Sequence, residues 1–237
     1  MHGKRLLMAG LAMSLVLLLT SAAQAISMSF TASGTGGDGP ESASATVTTG
    51  AGTVTVMLSS LIDNPKAAGQ EVSGIQIALG GGVPAAASLN SASGTTIDIA
   101  PGGAVSPGGA ITHWGATVSG GTIFLATAGT GSDGSKPIDL IIGSPGAGGL
   151  YSNANSSITG RNPQIQNTGT FVLTTAGVLA TTTITSVVFE FGTGPDSTLP
   201  GVPVPEPTSL LLAGTALVGL GGVWRRMRSQ KRALAAV

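Results

Sequence analysis

Cysteine is absent from this chain, which excludes disulfides, a thiol nucleophile and any cysteine-ligated metal. The body must therefore hold together by core burial or by a bound ion. Histidine is nearly absent too. Of the two present, His2 lies in the leader and only His113 lies in the body, so a histidine zinc cluster is excluded. Charge is sparse at 8% of residues, and its zero net value hides a division. Lys4 and Arg5 precede the first apolar run, while Arg225, Arg226, Arg228, Lys231 and Arg232 follow the last. Between them all ten carboxylates face only Lys66, Lys136 and Arg161. So acidic a middle is a poor ligand for phosphate backbones, and no nucleic-acid partner is expected. No Gly-x-Ser-x-Gly nucleophile elbow occurs.

What the chain has instead is alternation. Val54, Val56 and Leu58 point one way while Thr53, Thr55 and Met57 point the other. Ile75, Ile77 and Leu79 repeat the pattern, as do Ile97 and Ile99, Phe171 and Leu173, and Val187, Phe189 and Phe191. Period-two alternation marks half-buried strands. Trp114, Ala116 and Val118 followed by Ile123 and Leu125 predict a hairpin turning at Gly120-Gly121. Pro-Gly, Asn-Pro and Asp-Gly pairs supply further turns. Helical periodicity survives nowhere in the middle for more than two turns; residues 64–70 and 85–89 could each hold a short helix, and 33–39 reads as a loose loop. Many short strands in about 175 residues predict an all-β fold, an antiparallel β-sandwich of jelly-roll type, spanning residues 26–201.

The two ends read differently. Residues 1–25 have the layout of a secretory signal peptide: a basic start, an apolar stretch over 6–19, and Ala23-Gln24-Ala25 as an A-x-A cleavage site. Cleavage would leave Ile26 as the mature N-terminus. At the other end, 202–207 reads as a linker carrying Pro205-Glu206-Pro207, whose prolines fix φ and hold Glu206 extended. Residues 208–224 form an almost uncharged apolar run. As a helix at about 1.5 Å per residue it would span roughly 25 Å, slightly less than a hydrocarbon core of about 30 Å. Trp224 suits the interface, and Arg225, Arg226 and Arg228 form a basic stop leading into a cytoplasmic tail over 225–237.

A rigid Pro-Glu-Pro, an apolar segment and a basic stop, in that order at the C-terminus, resemble the PEP-CTERM sorting signal of bacterial exported proteins. The resemblance covers 203–231, and the tail beyond Ser229 runs longer than is typical. It implies a membrane-embedded exosortase-type enzyme as processing partner, transient residence in the inner membrane, and a final place at the cell surface or in the extracellular matrix, with exopolysaccharide as a candidate partner. The stretches around His113-Trp114-Gly115, 139–143, 157–164 and 188–194 also resemble extracellular domains attached to this signal, without implying an activity.

The body itself is expected to be non-enzymatic, with no catalytic residues, no metal site and no cofactor. Gly34, Gly36 and Gly39 match G-x-G-x-x-G on paper, but a strand-like run follows where a phosphate-binding helix would be needed. A hydrolase would need two positioned carboxylates, and the candidates are scattered among turns. A structural calcium held by loop oxygens is an open option. The other alternative is a carbohydrate-binding module using Trp114 and Tyr151 as ring platforms.

Overall fold

The computed structural model describes residues 25–81, 84–127, 137–194 and 196–205. These are 57% strand and 6% helix, so the chain is a β-protein. The strands are β1 (Ser27–Gly36), β2 (Gly39–Gly50), β3 (Thr53–Ser60), β4 (Val72–Gly80), β5 (Ala86–Ile99), β6 (Val105–Pro107), β7 (Gly115–Ser119), β8 (Thr122–Ala126), β9 (Ile141–Ile142), β10 (Gln164–Ala176), β11 (Thr183–Phe191), β12 (Ser197–Pro200) and β13 (Val202–Val204). One four-residue helix, α1 (Ser156–Thr159), is capped by the Asn155 side chain, which accepts from the Ser157 N–H.

All thirteen strands belong to one hydrogen-bonded sheet whose main path is β12-β11-β4-β9-β10-β3-β2-β1-β13. The predicted alternation sets which face is buried: Val54, Val56 and Leu58 lie in the core while Met57 is exposed. Ile75, Ile77, Ile123, Leu125, Phe171, Leu173, Val187 and Phe189 join them in one apolar cluster. Trp114 packs on Phe171 within it, their ring centroids 4.2 Å apart. A smaller cluster gathers Ile97, Ile99, Ile142, Tyr151 and Ile158 beside α1. The β7–β8 hairpin turns where expected. Gly120 and Gly121 both take positive φ (58° and 81°), as a two-residue type I′ turn requires.

Four expectations need correction. Pairing is not purely antiparallel, because β9 runs parallel to β10, with Ile141 opposite Ile165. The crossover over 143–163 makes a parallel pair possible there. Residues 33–36 belong to β1, pairing with β2 up to Gly36 opposite Gly39, so the loose loop shrinks to a two-residue turn. Ala86, Ala87 and Leu89, part of a candidate helix, instead extend β5 along β10. Sheet pairing overrides a weak helical preference when an unpaired neighbouring edge is available. Finally, Val202–Val204 is not linker but a strand, pairing with β1.

That last strand closes the sheet. β12 pairs with β11, at one end of the path, and β13 pairs with β1, at the other. Gly201 alone separates them, so a single extended segment crosses from one end of the sheet to the other by a bend. A side chain at Gly201 would run into Val187, Phe189 and Phe30. The Gly201 N–H donates to the Val187 carbonyl at 2.9 Å. Glycine is therefore required at the crossing for its lack of a Cβ.

Candidate sorting and processing site

β13 is an edge strand, and its composition suits an edge. Pro203, opposite Phe30, has no N–H to give a ladder and is tolerated where a further neighbour is missing. Val202 and Val204 turn outward, 64% and 41% exposed. Pairing ends with Val204 opposite Ser29, and Pro205 follows at once, exposed. Where β1 runs on past Thr31 the closing segment has bent away. A groove of about 550 Å³ opens there, lined by Thr31, Ala32, Ser33, Ser42, Leu199, Pro200 and Val202. Its walls are small, hydroxyl-bearing or apolar, without a charged group.

At the other end of the described body, β1 is entered from Ile26. The Ile26 N–H donates to the Ala180 carbonyl, and the Ile26 carbonyl accepts from the Thr49 N–H at 2.9 Å. Ala25 is exposed just outside.

The side chains weighed for other chemistry are engaged in structure. Trp114 is buried, and its indole N–H donates to the Asp139 carbonyl at 2.8 Å. Tyr151 is fully buried and its hydroxyl donates to the Gly143 carbonyl at 2.7 Å. Neither ring can serve as an open platform for a sugar, so the aromatic argument for a carbohydrate module falls away. His113 turns one nitrogen, Nδ1, toward both the Thr112 hydroxyl (3.0 Å) and Asp139 Oδ2 (3.5 Å). A relay needs nucleophile and carboxylate on opposite ring nitrogens; here both crowd the same one.

Among the buried carboxylates, Asp139 accepts from the Thr112 and His113 N–H groups, pinning the segment ahead of β7. Glu41 accepts from the Ser197 hydroxyl at 2.5 Å, joining β2 to β12. Glu190 accepts from the Gln76 amide at 2.8 Å, joining β11 to β4. Glu71 stands apart. It is wholly buried, and neither carboxyl oxygen has a hydrogen-bond partner. Burial pushes its pKa up to about 8, against a smaller opposing pull from the Arg161 guanidinium; the Gln164 amide nearby donates to the Ile158 carbonyl instead. It is therefore held mostly as the neutral acid at pH 7. Among the described residues no group of three or more carboxylates and histidines is placed to hold a metal ion.

One comparison with known families supplies what geometry leaves open. A PEP-CTERM protein-sorting motif occupies residues 203–226. Searches of curated proteins and of solved structures each found no match. The PEP-CTERM motif thus begins at the central residue of β13, inside the sheet rather than beyond a spacer. Of its predicted site residues, Pro205 stands exposed at the end of the described chain. Glu206, Pro207, Arg225, Arg226 and Arg228 lie outside the described residues, as do the apolar segment 208–224 and the leader with Ala23. Among the described residues no helix is long and apolar enough to cross a membrane. Sequence reasoning missed two features, one at the start of the PEP-CTERM motif and one in the body. The alternation of Val202, Pro203 and Val204 was a strand signal masked by its prolines. The burial of Glu71 was hinted only by its place beside the apolar β4.

Proposed function

We propose that this chain is an exported, non-enzymatic protein of the bacterial surface or extracellular matrix. In this reading the leader directs export, the segment 208–224 anchors the body at the outer face of the inner membrane, and Arg225, Arg226 and Arg228 stay cytoplasmic. An exosortase-type enzyme then takes the extended Pro205-Glu206-Pro207 into its cleft. The observation that carries the reading is the PEP-CTERM motif at 203–226, attached without a spacer to a β-body that starts at Ile26. Two prolines lower the entropy of the free segment, so an enzyme loses less on binding it. Glu206 offers one charge for a basic partner. The body reads as a jelly-roll-like β-sandwich, a reading supported by the bent β12–β13 segment that links the two ends of the sheet beside the main apolar cluster. Exopolysaccharide is the candidate partner after processing.

Replacing Glu206 by Ala tests the reading in the native host. Export and anchoring should persist while processing slows and unprocessed protein builds up in the inner membrane. Wild-type protein should lose 208–237 on maturation, a change readable by mass spectrometry. Wild-type protein that keeps Arg225 and all that follows would make the anchor permanent and overturn sorting in favour of an ordinary single-span protein.

A further inference from the structure

The strand registers divide the body into two poles. β1 starts, β2 turns into β3, β7 turns into β8, and β10 turns into β11 at one end, since Ser27 lies opposite Thr48, Thr53 opposite Thr174, Gly80 opposite Thr183 and Ala78 opposite Thr122. β13 points to this same end, with Thr31 opposite Val202 and Ser29 opposite Val204. Both termini of the body therefore leave from one pole.

Among the described residues, no side chain at that pole carries a charge. The loops over 50–52, 120–121 and 176–182 hold only glycine, alanine, threonine, valine and leucine, with Leu179 at 61% exposure. Every acidic or basic side chain among the described residues sits toward the opposite pole. Asp38 is in the β1–β2 turn, Asp63 and Lys66 follow β3, Asp98 closes β5, Arg161 precedes β10 and Asp196 lies in the β11–β12 turn. His113 and the four buried carboxylates lie toward that end as well. The described acids outnumber the bases by eight to two.

We propose that the uncharged pole is a lipid-docking surface that rests on the outer headgroups of the inner membrane while the protein is anchored. The inference rests on the anchored reading above and adds an orientation and a contact to it. Chain length forces the approach: only 205–207 separate Val204 from the apolar run, at most about 10 Å of extended chain. Electrostatics sets the orientation. The acidic pole is repelled by an anionic leaflet, whereas the loops of the other pole bring no charged side chain into the interface and the α-amino group freed at Ile26 brings only a cation. Leu179 and the small apolar loop residues can settle among headgroups without stranding a charge. A weak surface contact suffices, because the tether supplies a high effective concentration.

The absence of cysteine makes the test direct. Single variants Ala51→Cys and Leu179→Cys at the uncharged pole, and Asp38→Cys and Asp63→Cys at the charged pole, are labelled with an environment-sensitive fluorophore on the full chain. Leu210→Cys serves as the anchor control. The proteins are reconstituted into phosphatidylethanolamine–phosphatidylglycerol vesicles containing nitroxide-labelled lipid. The twelve residues of β2 put the poles about 40 Å apart. Quenching should therefore be several-fold stronger at 51 and 179 than at 38 and 63. Equal quenching at both poles, with 210 quenched, overturns the docking surface and leaves the anchor standing. An unquenched label at 210 removes the anchor and this inference with it. Labels at 51 and 179 that respond only when the processing enzyme is added would overturn lipid docking and assign the pole to a protein contact.

Discussion

Val204 lies opposite Ser29 in the pairing of the last strand with the first. The residue just before the sorting Pro205 is thus held by a strand that begins one residue after the expected mature N-terminus. The chain ahead of Ile26 and the sorting motif, at opposite ends of the sequence, lead into and out of neighbouring strands of the folded body. The processing segment is consequently presented from a fixed edge, and the stability of the body governs how it is presented.

Removing that edge should be measurable. A fragment ending at 201 should be less stable than one ending at 205 by roughly 1–3 kcal/mol, the net worth of a few strand hydrogen bonds. Gly201→Ala should cost at least as much, because its methyl group meets Val187 at the closure. Urea unfolding of the three proteins checks both; equal midpoints would show that the closing strand contributes nothing.

Phe189 and Phe191 are both fully buried. Replacing either by Ala should destabilise the body by about 3–5 kcal/mol. A cost below about 1 kcal/mol at both positions, in the same unfolding measurement, would contradict their place in the core.

Glu71 makes stability depend on pH in an unusual direction. Its folded-state pKa of about 8 lies above the ordinary 4.5, so the folded chain keeps a proton that the unfolded chain releases. That stabilisation is complete below about pH 4.5 and is lost as pH rises toward 8, by up to about 1.4 kcal/mol per unit. Glu71→Gln should flatten the decline and be the more stable protein at pH 8. Parallel pH profiles for the two proteins would remove Glu71 as the cause.

The membrane orientation has its own check. A reporter active only in the periplasm, fused after Val237, should be silent if, as proposed, the basic cluster after Trp224 keeps the C-terminus in the cytoplasm. A reporter fused after Pro205 in a truncated chain should be active. Activity at Val237 would reverse the topology.

Much of this protein is legible in its sequence because its signals are local. Pro205-Glu206-Pro207, the apolar run and Arg225, Arg226 and Arg228 are read by contiguity, and a PEP-CTERM family model matches 203–226, ending at Arg226. The strand alternation at 53–58, 75–79 and 187–191 is equally local, so the buried faces follow from it directly. Trp114 and Tyr151 are ambiguous in the sequence because both lie outside the strands, Trp114 just ahead of β7 and Tyr151 in the loop before α1, where an aromatic residue can face core or solvent. Only the partners contributed by Asp139 and Gly143 make them core residues. The strand identity of Val202–Val204 depended on an edge of β1 that lies about 170 residues away in the chain. The unpaired state of Glu71 depended on which groups surround it after β4, β9 and β10 assemble. The grouping of every described charge at one pole arose from register: antiparallel reversal sends alternate strand ends to the same side. Composition and contiguity determined the class of protein and its sorting signal. Long-range pairing decided where that signal begins on the body and at which pole the described charges gather.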